Sequence, residues 1–420
     1  MQKIRLPVLI IVWIALGLSA QTRTTPFILG ADISWIPQRE AGGVRYADNG
    51  TVKDIFEILK DHQFNWIRLR LFVDPTAPVP GESESPYSPQ GFCGLEETRK
   101  MALRVKQAGM KLLLDFHYSD TWADPAKQHK PVSWENLSFS QLRDKVRTYT
   151  RETLQILQAD GTLPDMVQVG NEVVGGMIWP DGRSSNMYNF AALVNAGIDG
   201  VKDVSPDIKI MIHSISKDSP SNWLRNLINA GVTRIDVFGL SYYSEWHGTP
   251  DDLQSMINTV AANHDVKIVI AEYADNHRRV NDIIFNLPDN KGLGTFVWEP
   301  ADWNEALFDW RNNRRETNSR IDLYPQMSKD FGNDIISAIQ SNPNVSERQS
   351  FFKPASACKN GAVHVEVFTT TGRKVLSESY TSFSGSKRIT IPVKQLKCGH
   401  YFIRITGDTF SSSHFLNVIR

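Results

Sequence analysis

The sequence predicts an α/β fold: a (β/α)8 TIM barrel carrying a small C-terminal β-sandwich. Three observations lead there. Between Phe27 and about Gln340, short apolar runs alternate with longer amphipathic segments, and eight such pairs can be counted. Strict strand–helix alternation argues for a parallel sheet, and eight repeats argue for its closure. The apolar runs end on polar side chains, which is where a barrel gathers its chemistry. Beyond Asn342 the helical period disappears and short strand-like runs replace it. The 420 residues also exceed the roughly 250 typical of one barrel, so a second unit is expected.

At the N-terminus, Lys3 and Arg5 precede the apolar run Leu6 to Leu18, and the small residues Ser19 and Ala20 follow. This is the pattern of a secretory signal over residues 1–20, cut after Ala20 or after Ser19, and its run is too short to favour a membrane span. Residues 21–341 are then the barrel. Its strands are expected at Ile28–Ser34, Trp66–Leu71, Lys111–His117, Met166–Asn171, Lys209–His213, Val237–Tyr242, Lys267–Glu272 and Leu293–Trp298. Met166, Val167 and Val169 have the two-sided apolarity of a strand covered on both faces. Helical patterns follow in turn at Val52–His62, Leu95–Ala108, Gln141–Ala159, Tyr188–Val204, Trp223–Ala230, Asp252–His264, a short Val280–Asn286 and Gln326–Gln340.

Residues 342–356 read as a linker, opening with Asn342-Pro343-Asn344. Residues 357–420 are strand-like at Val363–Phe368, Lys387–Ile391, Tyr401–Ile405 and Phe415–Ile419, with a hairpin turn at Thr371-Gly372-Arg373. The three cysteines, Cys93, Cys358 and Cys398, are too few for a disulfide scaffold and lack zinc spacing. Cys358 and Cys398 share the terminal segment and could pair after export.

A formal net charge of zero gives no electrostatic case for nucleic acid or a membrane surface. Eleven Trp, many near predicted strand ends and loops, offer flat faces for sugar rings, although any one of them could equally fill core. The strand ends carry Asp32, Arg70, His117, Asn171, Glu172, His213, Tyr242, Glu272 and Trp298, all candidates for the site.

Glycoside hydrolysis with retention needs two carboxyl groups about 5 to 5.5 Å apart, one as acid and base, the other as nucleophile. Glu172 ends the fourth predicted strand, and Glu272 ends the seventh behind a similar apolar lead-in, Ile268-Val269-Ile270-Ala271. A lone Glu at a strand end is more often a helix cap or an ion-pair partner; two at matching positions point to a shared funnel. Glu172 is therefore the candidate proton donor and Glu272 the candidate nucleophile, with Arg70 and Tyr242 expected to hold Glu272 anionic. Asn171 is placed for a sugar hydroxyl beside the reacting carbon. No HxH or HExxH pattern accompanies His117 and His213, so hydrogen bonding to sugar is preferred to a metal, and no cofactor is expected.

The run Leu114-Asp115-Phe116-His117-Tyr118-Ser119-Asp120-Thr121-Trp122-Ala123-Asp124-Pro125 resembles the signature of glycoside hydrolase family 53, the arabinogalactan endo-β-1,4-galactanases. Gly30 to Trp35, Asn65 to Arg70, Val167 to Glu172 continuing to Ile178-Trp179-Pro180, Ser241-Tyr242-Tyr243 and Val297 to Pro300 match as well, so the resemblance spans roughly Phe27 to Gly332. It implies a (β/α)8 barrel of the large retaining clan, endo-cleavage of β-1,4-linked galactan, Glu172 as acid/base and Glu272 as nucleophile. On this reading Asp120 joins the substrate-binding candidates, Trp298 floors the cleavage subsite, and Trp122 and Trp179 serve flanking sugars.

The short Tyr273-Ala274-Asp275-Asn276-His277 stretch departs from relatives with a longer calcium loop, so calcium is not implied. Ser214 to Asp218 departs from the acidic and aromatic residues common there, which bears on outer subsites. From about Val363 the tail resembles a type IX secretion sorting domain, through Val367-Phe368, Gly372 to Val375, Leu396 to Ile405 and Phe415 to Arg420. It implies engagement with secretion machinery and a secreted or cell-surface location; a carbohydrate-binding or spacer module is the alternative. Rival functions are hydrolysis of a mannan, xylan or cellulose backbone, or glycan binding without catalysis.

Overall fold

A computed structural model gives the structure of residues 23, 25–79, 85–303 and 306–333, and of the C-terminal stretches 350–352, 359–369, 373–384, 389–391, 396, 399–407 and 410–418. Eight parallel strands close into a barrel: β1 (Ile28–Asp32), β2 (Trp66–Leu71), β3 (Lys111–Phe116), β4 (Met166–Val169), β5 (Lys209–Ile215), β6 (Val237–Tyr242), β7 (Lys267–Tyr273) and β8 (Gly292–Trp298). β1 shuts the ring against β8, with Ile28 opposite Gly294 and Asp32 opposite Trp298. All the expected strands are there and differ only at their ends.

Helices follow the strands at α1 (Ile55–Asp61), α2 (Leu95–Gln107), α3 (Phe139–Ala159), α4 (Met187–Lys202), α5 (Pro220–Asn229), α6 (Pro250–Asn263), α7 (His277–Phe285) and α8 (Leu323–Asp330). α1 starts later than Val52 because Thr51–Lys53 pairs as a strand with Tyr46–Asp48, after which Asp54 caps the helix by accepting from the Phe56 N–H at 2.8 Å. Those two short strands join Phe308–Arg311 and Arg314–Thr317 in a four-stranded sheet that the sequence reading did not anticipate. Strands of three or four residues are too short to show a period. The expected extension of α8 to Gln340 lies outside the described residues, as do the export signal, Cys358 and Cys398.

Strand alternation sorts the side chains into two cores. Leu29, Ile67, Leu114, Val167, Ile212, Leu240, Ile270 and Val297 point outward into the large buried layer beneath the helices. Ile28, Trp66, Leu113, Met166, Met211, Val237, Val269 and Phe296 point inward and plug the lower barrel. Residues two further along several of these strands are polar and still buried: Arg68, Asp115, Gln168 and His213. The inside of the barrel therefore changes from apolar to charged on the way to its carboxyl end.

The chain divides into two compact units, the barrel unit being Thr25–Asn333 and the other containing Asp334–Arg420. In the second unit, Lys374–Ser384, Lys359–Thr369, Gly399–Gly407 and Phe410–Val418 make an antiparallel sheet in that order. Ser350–Phe352 pairs with Ile389–Ile391, so this part of the expected linker belongs to the tail's two sheets. Among the described residues no helix is long and apolar enough to cross a membrane.

Candidate active site

The polar tier is organised by Arg68. Its guanidinium is fully buried, a situation costing several kcal/mol unless the charge is matched. Nη1 donates to Asp32 at 2.8 Å, Nε to Gln168 Oε1 at 3.1 Å, and Nη2 to Asp115 at 2.8 Å and Asn171 Oδ1 at 2.9 Å. Nη2 also lies 2.9 Å from Glu272 Oε1. Its two hydrogens are already directed at Asp115 and Asn171, so Glu272 Oε1 receives the positive charge without an N–H of its own. The other oxygen, Oε2, accepts from the Tyr243 hydroxyl at 3.1 Å.

Two local irregularities aim the carboxylates. Along β7, Val269 and Ala271 face the barrel interior, so simple alternation would send Glu272 outward. Pairing with β6 jumps from Leu240–Ile270 to Ser241–Glu272, a bulge that leaves Ala271 unpaired and turns Glu272 inward. Just beyond β4, Gly170 adopts φ +84°, where a Cβ would sit 2.6 Å from Val173, and Glu172 itself is left-handed at φ 45°, ψ 47°. A glutamate held there is strained, by about 1 kcal/mol or more, and such strain collects at functional sites.

Both carboxylates line one cavity of about 600 Å³, together with Asn171, Tyr243 and the indoles of Trp35, Trp122, Trp298 and Trp303. Burial, and then the charge of Glu272, push Glu172 upward. Burial raises Glu272 as well, but Arg68 and the Tyr243 hydroxyl favour its anion. One proton shared by this pair therefore rests on Glu172, and the negative charge on Glu272. A protonated acid and an ionised carboxylate across a cavity rimmed by indoles can cleave a glycosidic bond.

The family model of glycosyl hydrolase family 53 matches residues 28–282. The chain belongs to glycosyl hydrolase family 53. Residues 349–418 match the model of the secretion system C-terminal sorting domain, which makes this hydrolase a secreted or cell-surface protein. Over 310 residues the chain is 32% identical to an endo-beta-1,4-galactanase of Bacillus subtilis (strain 168), covering 66% of this chain and 70% of that protein. An arabinogalactan endo-beta-1,4-galactanase of Humicola insolens is 30% identical over 308 residues, 65% of this chain and 89% of that one. The Ignisphaera aggregans GH53 catalytic domain superposes with a TM-score of 0.65 at 33% identity, covering 73% of this chain and 97% of that domain.

Within this family 53 barrel the expected residues divide sharply. Glu172, Glu272, Asn171, Trp122 and Trp298 line the cavity. The expected partners of Glu272 are each corrected to a neighbour. Arg70 pairs instead with Glu299 at 2.8 Å and Asp32 at 3.3 Å, and the deeper Arg68, on the same face of β2, reaches Glu272. Tyr242 shares the outward parity of Phe238 and Leu240 and donates to Gly248 O at 3.0 Å, leaving Tyr243 to face Glu272.

Asp32, His117, Asp120 and His213 are buried and act through other residues. Asp32 takes the two arginines; His117 engages Asp115 at 3.1 Å through Nε2 and the Ala123 N–H at 3.1 Å through Nδ1. Asp120 ties down the loop after β3 by accepting from the N–H groups of Asp74 and Val132, at 2.9 and 2.8 Å. Trp179 is outside the cavity lining, its indole N–H turned back to Gly175 O at 3.0 Å and its ring beneath Arg183. The sequence reading did not single out Arg68, Tyr243 or Glu299, nor Trp35 and Trp303. Arg68 had a signal, a second charge of the same parity as Arg70 in the apolar strand Trp66–Leu71.

Proposed function

We propose that this family 53 hydrolase is an endo-β-1,4-galactanase that cleaves β-1,4-galactan with retention. The observation that carries the reading is the placement of Glu172 and Glu272 on one indole-rimmed cavity with asymmetric surroundings. Glu272 attacks the anomeric carbon while the Glu172 carboxyl protonates the departing oxygen. A galactosyl ester on Glu272 forms, and Glu172, now a carboxylate, takes a proton from water as that water displaces the ester. Asn171 faces the cavity beside the reacting carbon, and Trp298 and Trp122 offer apolar faces to the rings on either side. The galactan specificity follows the names of the Bacillus and Humicola relatives.

Incubation with β-1,4-galactan, mannan, xylan and cellulose tests the reading. Short galacto-oligosaccharides should appear from galactan alone, and Glu272→Ala should lower that rate by at least about 10⁴-fold with an unchanged far-UV spectrum. Comparable release from another polymer, or normal turnover by the variant, would overturn it.

A further inference from the structure

The imidazole of His247 lines the catalytic cavity and has no part in the chemistry described so far. It ends a single turn of helix, Ser244–His247, in the loop after β6. That turn is anchored at both ends. The Ser244 N–H donates to Asp275 at 3.3 Å, its hydroxyl bonds the same carboxylate, and the buried Tyr242 hydroxyl donates to Gly248 O at 3.0 Å. The ring therefore meets the cavity in a fixed position, which spares a ligand the entropy of ordering it.

One contact decides the tautomer. The Tyr243 backbone N–H donates to His247 Nδ1 at 3.0 Å. A ring nitrogen that accepts carries no hydrogen, so the hydrogen of the imidazole is on Nε2. Burial, and then the charge of Lys217, push His247 down to about 4, in keeping with a neutral ring. Nε2–H is thus a donor on a cavity-lining side chain, and among the described residues no acceptor meets it.

Where that donor acts follows from the order of the strands. In a retaining hydrolase the two carboxyl groups flank the scissile bond, so the sugars it joins lie to either side of the line between them. Glu172 follows β4 and Glu272 is on β7; β5 and β6 fill the shorter arc of the ring between them, and β8 with β1 to β3 the longer. Trp298, the floor of the cleavage subsite, is on the longer arc. Lys217 and His247, from the loops after β5 and β6, face the cavity from the shorter one, on the side of the departing unit.

We propose that His247 is a substrate-binding residue for the departing galactosyl unit, giving its Nε2–H to a hydroxyl oxygen of that sugar. The inference rests on the galactanase reading. The bond forms only when the leaving group is itself a carbohydrate, which separates it from the anchoring contact that Nδ1 makes with Tyr243.

Two variants split the functions of the two nitrogens. In His247→Asn the amide oxygen can replace Nδ1 as acceptor for Tyr243, and the donor is lost; in His247→Gln an amide N–H reaches the place of Nε2. Each is compared on β-1,4-galactan, whose leaving group is a sugar, and on a dinitrophenyl β-galactobioside, whose leaving group is not. kcat/KM of His247→Asn should fall by about three- to tenfold more on galactan than on the aryl glycoside, the worth of one neutral hydrogen bond, and His247→Gln should recover part of that difference. Equal losses on the two substrates would mean that His247 only holds the Tyr243 loop, and no loss on either that it does not meet the sugar; both overturn the proposal. Release of galacto-oligosaccharides by the wild type tests the galactanase reading separately, before any variant is made. Independently of activity, ¹⁵N resonances of His247 in the wild-type enzyme should report the Nε2–H tautomer; the Nδ1–H tautomer would overturn the assignment.

Discussion

At the residue scale, the working difference between two chemically identical side chains comes from their neighbours. Glu272 has a guanidinium at 2.9 Å and a phenol O–H at 3.1 Å; Glu172 has a strained backbone and a carboxylate across the cavity. The acid limb of kcat/KM should report ionisation of Glu272, and the alkaline limb loss of the Glu172 proton, as macroscopic values of the pair. Tyr243→Phe removes a donor that favours the Glu272 anion, so that carboxyl becomes harder to ionise. The acid limb should then move to higher pH by roughly half to one unit, with kcat/KM at the optimum down about tenfold or more. A pH profile superimposable on that of the wild type would show that the hydroxyl has no hold on Glu272. Glu299 forms a second buried pair with Arg70 at 2.8 Å, and burial pushes its carboxyl up to about 8. Arg70 in turn lies 4.5 Å from the Trp122 ring centre and 5.0 Å from that of Trp298, so this pair seats the indoles of the cavity.

At the scale of elements, the position of Glu172 depends on how closely α4 approaches the barrel. Gly197 on α4 faces β4 and the chain beyond β3, where a Cβ would meet Val169 at 2.6 Å and the Tyr118 hydroxyl at 2.8 Å. Both neighbours are fully buried, and Tyr118 is tied to Thr150 on α3 at 2.7 Å. Gly197→Ala should therefore cost about 1–3 kcal/mol of stability in denaturant unfolding, despite the higher helix propensity of alanine. Unchanged or increased stability would mean that α4 can back away from β4. The elements themselves were legible because β1 to β8 are apolar runs and the helices between them keep their period. What alternation alone misplaced lies where alternation fails. The bulge at Ala271 and the left-handed turn at Gly170 and Glu172 leave no period to read, and the assignment of Tyr242 rather than Tyr243 shows how one residue changes the face. Arg68 and Arg70 share one face of β2, and which of them reaches Glu272 is not readable from parity, since parity gives the face of a strand and depth within the barrel comes only from strand tilt. Trp35 and Trp303 enter the cavity from loops, where no pattern marks them.

At the scale of the whole molecule, the fold brings together groups exactly one hundred positions apart in sequence, because strands four and seven of a closed ring look into the same space. Among the described residues, those that line the cavity all belong to Thr25–Asn333, whereas the secretion sorting domain match covers residues 349–418, so export and catalysis are assigned to separate stretches of chain. The central claim is the division of labour between the two carboxylates. It is tested most directly by trapping the covalent intermediate with an activated 2-deoxy-2-fluoro-β-galactobioside and locating the label by peptide mass spectrometry. The account predicts one stoichiometric glycosyl adduct, on Glu272. An adduct on Glu172 or Glu299, or full turnover with no trapped ester, would contradict it.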